Sequence, residues 1–138
     1  MFSKDSNILI AEDSTAVRTL LKRQFSSLGY LHIFEAEDGI EALECLNALH
    51  DQGKNIHLVV CDWNMPRLSG LDLLILLRTD QKFNALPFLM ITYESDIALV
   101  TLAIAKGADD YIVKPVTEEI LQEKLDFIWK KITQVKSS

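Results

Sequence analysis

The sequence predicts an α/β fold in which a parallel, five-stranded sheet lies between two layers of helices. Five short apolar runs alternate with longer segments of helical periodicity, and three of the short runs are apolar throughout. Continuous apolar character is typical of parallel strands that are covered on both faces. The alternation therefore predicts five βα units joined by right-handed crossovers.

The five short runs are the predicted strands. They comprise residues 8–11, 31–34, 57–61, 87–91 and 111–113. In open parallel sheets the ligand binds at the carboxyl ends of the strands. The residues that follow each run are therefore the candidates for chemistry.

The first predicted helix has five apolar residues on one face: Val17, Leu20, Leu21, Phe25 and Leu28. Gly29 ends this helix, because glycine readily adopts the left-handed conformation that follows a last turn. A second helix precedes Gly53 and is predicted from an apolar stripe at Ile40, Leu43 and Leu46.

Three further helices are predicted in the second half of the chain. The stretch Leu71 to Leu77 is apolar nearly all round, which predicts a well-buried helix. The segment Ser95 to Lys106 stops at Gly107. The last helix begins at Thr117 and carries an apolar stripe at Leu121, Leu125, Ile128 and Ile132.

Length and charge restrict the classes of function. The chain has 138 residues, and we expect a single domain over residues 1–138. The net charge of −6 argues against direct nucleic-acid binding, which needs a basic face. No apolar run approaches the roughly 20 residues of a membrane span, and residues 1–5 lack the apolar core of a signal peptide. We expect a cytoplasmic protein in which Cys45 and Cys61 stay reduced.

Residues capable of chemistry follow or end four of the predicted strands: Glu12 and Asp13, Asp62, Thr92, and Lys114. Three carboxylates in one crevice repel one another unless a cation lies among them. Oxygen ligands with open positions suit Mg²⁺, and a carboxylate can act as a nucleophile that forms an acyl phosphate. A metal, an amine and a hydroxyl donor are the groups that phosphoryl transfer requires.

Each of these residues alone has an ordinary structural explanation. Asp13 before a helix is commonly a cap, Lys114 could be a surface lysine, and Thr92 could be a strand-end hydroxyl. Their joint occurrence at the functional end of successive strands favours a site.

Four stretches carry more specific motifs: Ile8 to Asp13 (ILIAED), Glu35 to Leu43 (EAEDGIEAL), Asp62 to Pro66 (DWNMP) followed by Gly70, and Gly107 to Pro115 (GADDYIVKP). In order and spacing they resemble the receiver domain family of response regulators, and most of all its single-domain chemotaxis type. The resemblance extends over nearly the whole chain, from about Asn7 to about Ile132. It implies a three-layer, flavodoxin-like fold with strand order 2-1-3-4-5.

The resemblance implies a role for each residue of the predicted site. Asp62 is similar to the family's phosphoacceptor, and Lys114 to the amine that pairs with the phosphoryl oxygens. The implied cofactor is Mg²⁺, with Asp13, Asp62 and the backbone carbonyl of Asn64 as ligands and Glu12 acting through water.

The resemblance also implies a switch. A sensor histidine kinase or a phosphotransfer protein would phosphorylate Asp62, after which Thr92 turns toward the phosphoryl group and Tyr111 turns inward. The output surface would comprise the fourth helix, the fifth strand and the fifth helix, and would bind a downstream protein such as a flagellar motor component or another effector. The only catalysis expected is the protein's own phosphotransfer and dephosphorylation. The Lys114–Pro115 peptide bond is expected to be cis, as in the family.

Some residues are expected to modulate this chemistry. Asn64 and Glu94 occupy positions that in this family influence how fast the phosphoryl group is lost. Tyr93 departs from the family pattern, in which the residue after the switch threonine is usually small. Three interpretations of its ring stay open: it hinders attacking water, it swings out to shape a partner surface, or it is a partly exposed strand-end aromatic without a special role. Glu12 replaces the commoner aspartate and moves its carboxylate outward by one methylene.

Other classes of function fit these residues less well. A haloacid-dehalogenase-like phosphohydrolase would have a second aspartate where this chain has Asn64, and a GTPase would need a glycine-rich Lys-Ser/Thr loop that the sequence lacks. A receiver that binds partners without being phosphorylated stays open because of Tyr93. The chain could also be the N-terminal receiver of a longer regulator, with residues 135–138 starting a linker.

Overall fold

A computed structural model of the protein describes residues 1–137, and the side chains of residues 1–134. Its strands are β1 (Asn7–Ala11), β2 (His32–Ala36), β3 (Leu58–Asp62), β4 (Phe88–Thr92) and β5 (Asp110–Val113). They form one parallel sheet in the order β2-β1-β3-β4-β5. The predicted α/β fold and its flavodoxin-like strand order are confirmed. Residues 135–137, considered above as the start of a linker, continue the last helix, which runs from Glu118 to Ser137, and Ser138 lies outside the described residues.

Five helices alternate with the strands: α1 (Thr15–Ser27), α2 (Gly39–Asp51), α3 (Gly70–Thr79), α4 (Ile97–Ala105) and α5 (Glu118–Ser137). The first four have N-cap side chains that accept a hydrogen bond from a first-turn N–H: Ser14, Asp38, Ser69 and Asp96. Thr117 accepts a 3.2 Å hydrogen bond from the N–H of Ile120 at the start of α5, as predicted. The cap at Asp96 places the start of α4 at Ile97, two residues after the predicted Ser95.

The sheet separates two apolar clusters, because successive side chains of a strand point to opposite faces. In β1, Leu9 faces the layer of α2, α3 and α4, whereas Ile8 and Ile10 face α1 and α5. All five residues of β3 and all five of β4 are buried. The central strands are therefore covered on both sides, which is why they read as continuous apolar runs.

Several predicted details are wrong. Leu31 is 72% exposed and precedes β2, because the strand register begins with the pair Asn7 and His32. In α1, Leu20 is exposed and Arg18 takes a buried position instead. Helix α3 is less buried than expected, since Leu76 is exposed. In α2 the buried apolar side chains are Ala42, Leu46 and Leu49, so Leu46 of the predicted stripe is buried, whereas Ile40 and Leu43 are only half-buried.

The two cysteines are free thiols, as expected. Cys61 is buried and Cys45 is half-buried. Burial raises the pKa of both thiols, well above the ordinary value for Cys61, so both stay protonated near neutral pH. No helix in the described part of the chain combines the length and the apolar character needed to cross a membrane.

Candidate functional site

The strand register brings the predicted residues to one edge of the sheet. Ala11 of β1 pairs with Cys61 of β3, so Glu12 and Asp62 follow at neighbouring positions. Asp62 in turn pairs with Ile91 of β4. Thr92, the last residue of β4, pairs with Val113 of β5, which precedes Lys114. The four strand ends therefore open into a common crevice, as the sequence predicts.

Lys114 lies between two of the carboxylates. Its Nζ donates a 3.0 Å hydrogen bond to Asp62 Oδ2 and a second hydrogen bond to Glu12 Oε1. All three side chains are buried. A buried charge is unfavourable unless it is paired. Loss of any one of these three groups would therefore leave a buried charge without one of its partners.

The electrostatics of the crevice favour a proton on Glu12. Burial raises the pKa of Glu12 to about 7, and the neighbouring Asp62 acts in the same direction, whereas the hydrogen bond from Lys114 opposes them. Burial lowers the pKa of Lys114, but its hydrogen bonds and attraction to Glu12 and Asp62 outweigh that effect and leave the pKa raised. The ammonium of Lys114 is therefore charged at neutral pH, whereas Glu12 titrates near neutrality.

The acidic residues fit a divalent cation. Glu12, Asp13 and Asp62 each offer a carboxylate oxygen, and the three oxygens lie within 4.8 Å of one another. Glu12 Oε2 is buried and has no hydrogen-bond partner among the described residues. An unpaired buried carboxylate oxygen is costly, and a bound cation would relieve that cost. Asp13 is exposed, so one side of the cluster faces solvent. Oxygen donors with one open side match the preference of Mg²⁺, which keeps several of its waters.

The loop after β3 folds back over the end of its own strand. The N–H of Asn64 donates to Asp62 Oδ1 at 3.3 Å, and the N–H of Gly70 donates to the carbonyl of Trp63 at 2.8 Å. A Cβ on Gly70 would lie only 2.1 Å from the backbone oxygen of Asp62. Only glycine allows this approach, and the backbone of Asn64, predicted to supply a metal ligand, stays next to Asp62.

The two predicted switch residues are both linked to Glu94. Thr92 is fully buried, and its Oγ1 accepts a 3.4 Å hydrogen bond from the N–H of Glu94. Tyr111 is 7% exposed, and its hydroxyl donates a 2.7 Å hydrogen bond to the carbonyl oxygen of Glu94. Burial, with the nearby charges of Glu94 and Asp62, raises the pKa of Tyr111 to about 12, so the hydroxyl remains a donor. The structure thus has Tyr111 in the inward position.

The predicted modulating residues surround the mouth of the crevice. Tyr93 is 71% exposed, yet its ring centroid lies 5.0 Å from Lys114 Nζ, within the range of a cation–π contact. Asn64 Nδ2 donates to Glu94 Oε1 at 3.4 Å. The predicted cis bond between Lys114 and Pro115 is also present.

Sequence reasoning missed Arg18. Its Nη1 donates a 2.6 Å hydrogen bond to the backbone oxygen of Glu12, and its guanidinium lies 3.4 Å from Glu35 and 3.7 Å from Glu37. Arg18 therefore fixes the backbone at the end of β1, where the acidic pair begins. The available signal was its position three residues before Leu21, on the buried stripe of α1.

Sequence reasoning also missed an ion pair between two loops. Asp38, the N-cap of α2, forms an ion pair with Arg67 of the loop after β3. The Arg67 guanidinium holds the pKa of the Asp38 carboxyl below its usual value, with help from the N–H of Glu41. The Asp-Gly pair before a helix could have indicated the cap, but no local pattern indicates its partner in another loop.

Comparison with known proteins gives a consistent result. The family model of the response regulator receiver domain matches residues 8–126. Chemotaxis protein CheY1 of Helicobacter pylori is 41% identical over 121 residues, which cover 88% of this chain and 94% of that protein. A CheY homolog of Campylobacter jejuni is 35% identical over 119 residues, which cover 86% of this chain and 88% of that protein.

Solved structures agree with these relatives. One similar chain comes from the crystal structure of the CheX–CheY–BeF3–Mg²⁺ complex of Borrelia burgdorferi, with a TM-score of 0.82, 28% identity, and coverage of 90% of this chain and 89% of that one. Chemotaxis protein CheY4 of Vibrio cholerae has a TM-score of 0.78 and 27% identity, and covers 90% of this chain and 98% of that one. The chain, with its acidic crevice at the carboxyl edge of a 2-1-3-4-5 sheet, therefore belongs to the response regulator receiver domain family and is CheY-like.

Proposed function

We propose that this receiver domain is phosphorylated on Asp62 in a two-component phosphorelay and signals through protein contacts. The observation that carries the proposal is the buried carboxylate of Asp62, hydrogen-bonded to Lys114 and grouped with Glu12 and Asp13 at the functional edge of the sheet. The phosphoryl donor is a sensor histidine kinase or a phosphotransfer protein. Glu12 and the other carboxylates match a Mg²⁺ site, and the similar Borrelia complex contains Mg²⁺ and BeF3.

In the proposed reaction a carboxylate oxygen of Asp62 attacks the phosphorus of a phosphohistidine. A new O–P bond forms, the P–N bond breaks, and the electron pair of that bond returns to the imidazole of the donor. Lys114 is already within hydrogen-bonding distance of Asp62 and pairs with the phosphoryl oxygens. Asp13, Asp62 and the carbonyl of Asn64 would hold Mg²⁺, with Glu12 bound through water; the metal supplies further neutralisation of phosphoryl charge.

The switch then acts through Thr92 and Tyr111. The hydroxyl of Thr92 turns toward the phosphoryl oxygens, and this favours the inward position of Tyr111, in which the ring is held by Glu94. Phosphorylation shifts the population of this arrangement rather than creating it, and the added charge is about −1.5 to −2.

The output surface in this proposal comprises α4, β5 and α5. Within α4, whose residues are all described, only Ala103 is buried, although the helix is almost entirely apolar. Exposed apolar side chains lie on all three elements: Ile97, Leu102, Ile104, Val113, Ile120 and Phe127. Apolar side chains left exposed on neighbouring elements favour a protein-binding surface and support this part of the proposal. A flagellar motor component or another effector would dock here, which agrees with the chemotaxis names of the relatives.

The proposal has three further parts. The domain turns over no substrate beyond its own phosphoryl group, its net charge of −6 disfavours nucleic-acid binding, and it acts in the cytoplasm. The first and third parts rest on the family resemblance, and the second rests on composition.

Phosphotransfer from a purified, radiolabelled phosphohistidine donor protein tests the proposal. Label should move to the wild-type chain and to Thr92→Ala, but not to Asp62→Asn. Thr92→Ala should then show a weaker change in the amide exchange of α4 than the wild type does. Transfer of label to Asp62→Asn would show that another residue is the acceptor. If Thr92→Ala matched the wild-type change in α4, the switch assignment would be wrong.

A further inference from the structure

We infer that Asp38 and Arg67 form a positioning pair for the metal-binding loop, in which their ion pair anchors residues 63–69 to the start of α2 and so holds Asn64 beside Asp62. The consequence for Mg²⁺ rests on the proposed function, whereas the anchoring of the loop does not. Neither residue belongs to the reacting groups.

The contact itself is bidentate. Arg67 Nε donates to Asp38 Oδ2 at 2.8 Å, and Arg67 Nη2 donates to Asp38 Oδ1 at 3.1 Å. Paired hydrogen bonds between a guanidinium and a carboxylate fix orientation as well as distance. The side chain of Asp38 is only 9% exposed, so its carboxylate is largely shielded from water. Solvent therefore weakens this ion pair less than it weakens a fully exposed one.

The backbone of Arg67 shows that the loop is constrained. Its φ is +66°, and it is the one non-glycine residue with a positive φ in the described chain. A side chain rarely adopts this conformation unless surrounding contacts impose it. The two hydrogen bonds to Asp38 are contacts that can do so, because they fix the position and orientation of the guanidinium.

The anchor is itself rigid. Asp38 Oδ1 also accepts a 2.8 Å hydrogen bond from the N–H of Glu41, which caps α2. The next residue, Gly39, donates from its N–H to the carbonyl of Leu68 at 3.2 Å, and a Cβ there would lie 2.6 Å from the same oxygen. The start of α2 therefore contacts two successive residues of the loop.

The loop is held at both ends. Trp63, at its start, accepts the hydrogen bond from the N–H of Gly70, and Arg67 and Leu68, near its end, are held by α2. The segment between Trp63 and Arg67 carries Asn64, whose N–H already bonds to Asp62. Release of Arg67 would let the loop relax away from Asp62, and the carbonyl of Asn64 would move with it.

Three variants separate the ion pair from other effects. Arg67→Gly removes the guanidinium, and glycine adopts a positive φ without strain, so the backbone itself is not penalised. Asp38→Ser keeps a good N-cap for α2 but cannot reach Arg67. The variant that carries both substitutions completes a double-mutant cycle. Lys54→Gly, in an exposed loop, controls for the general effect of adding a glycine.

The first measurement is Mg²⁺ affinity, by calorimetry with MgCl2 on the unphosphorylated proteins. Each single variant should weaken binding by about tenfold, and the double variant should be no weaker than either single. Lys54→Gly should bind as the wild type does. Wild-type affinity in Arg67→Gly, or additive losses in the double variant, would overturn the inference.

The second measurement is amide hydrogen exchange of residues 63–69 without metal. Exchange in this segment should be faster in Arg67→Gly and Asp38→Ser, and unchanged in Lys54→Gly. Unchanged exchange in both variants contradicts the positioning role, whatever the metal does. If the wild type bound no Mg²⁺ at all, the cofactor assignment of the proposed function would fail, and this exchange result would still decide whether the pair positions the loop.

Discussion

The hydroxyl of Tyr111 donates a 2.7 Å hydrogen bond to the backbone carbonyl of Glu94, which ties β5 to the segment that follows β4. The N–H of the same Glu94 donates to Thr92 Oγ1 at 3.4 Å. One residue therefore links the two predicted switch side chains. Movement of the Thr92 hydroxyl changes a contact of Glu94, and the position of Glu94 determines whether Tyr111 keeps its acceptor.

Tyr111→Phe tests this link. The variant keeps the buried ring but leaves the Glu94 carbonyl without its donor, so the free energy of unfolding should fall by about 1 kcal/mol. Amide exchange of residues 93–97 should rise, because this segment loses a contact with β5. Urea unfolding and exchange by mass spectrometry measure the two effects. Equal exchange in the variant and the wild type would show that the bond does not hold the segment.

The pH dependence of stability tests the environment of Glu12. Its pKa is raised from 4.5 to about 7 in the folded chain, so the folded state binds more protons than the unfolded state between these values. Stability of the metal-free protein should therefore decrease as pH rises from 4.5 toward 7, and then level off. The loss attributable to Glu12 is at most about 3 kcal/mol.

Glu12→Gln is the matched control, because it keeps the shape of the side chain and cannot ionise. As pH rises through this range, the wild type should lose stability relative to Glu12→Gln. The free energies of unfolding of both proteins are measured in urea with a chelator present. A difference that stays constant with pH would contradict the raised pKa.

Lys114→Met separates the amine's role in phosphoryl transfer from the metal site. The ammonium neutralises phosphoryl charge, so the rate of Asp62 phosphorylation should fall on the order of 100-fold. The same ammonium is hydrogen-bonded to the carboxylates of Glu12 and Asp62, which are candidate metal ligands. Its removal should therefore strengthen Mg²⁺ binding. Calorimetry and phosphorylation kinetics provide the two readouts. A parallel loss of both would show that Lys114 acts by maintaining the local fold.

Two glycines, Gly70 at the start of α3 and Gly53 in the loop after α2, differ in the space available for a Cβ and can be compared directly. Gly70→Ala places a Cβ at 2.1 Å from the Asp62 carbonyl oxygen, so the loop or the strand must move and stability should fall by about 3 kcal/mol. Gly53→Ala meets no atom within 4 Å and bears only the strain of a φ of +76°, about 1 kcal/mol. Mg²⁺ binding should weaken in the first variant alone. Equal effects of the two substitutions on stability would contradict the close approach at Gly70.

Much of the fold follows from local sequence patterns. Continuous apolar runs identify β3 and β4, because both faces of these strands are covered. The position of a residue at a strand end is equally local, so the sequence alone suffices to group Asp62, Thr92 and Lys114 in one site. The strand order itself came from the family resemblance.

The errors arose where packing between elements decides the outcome. Leu20 fits the apolar stripe of α1, but Arg18 is buried there because the backbone of Glu12 and two acidic residues of the β2 edge receive its guanidinium. The contact between Asp38 and Arg67 joins residues 29 positions apart. No periodicity or motif in either segment reports such a contact, since it depends on how α2 and the loop after β3 approach each other.

The most direct test of the central claim is intact-mass spectrometry after incubation with acetyl phosphate, with and without Mg²⁺, for the wild type and Asp62→Asn. The predicted result is one added phosphoryl group on the wild type, only when Mg²⁺ is present, and none on Asp62→Asn. Its decay rate in Tyr93→Ala would then show whether the ring over Lys114 shields the site from water. An adduct that persists in Asp62→Asn, or no adduct under conditions that label another receiver domain, would contradict the assignment of Asp62 as phosphoacceptor.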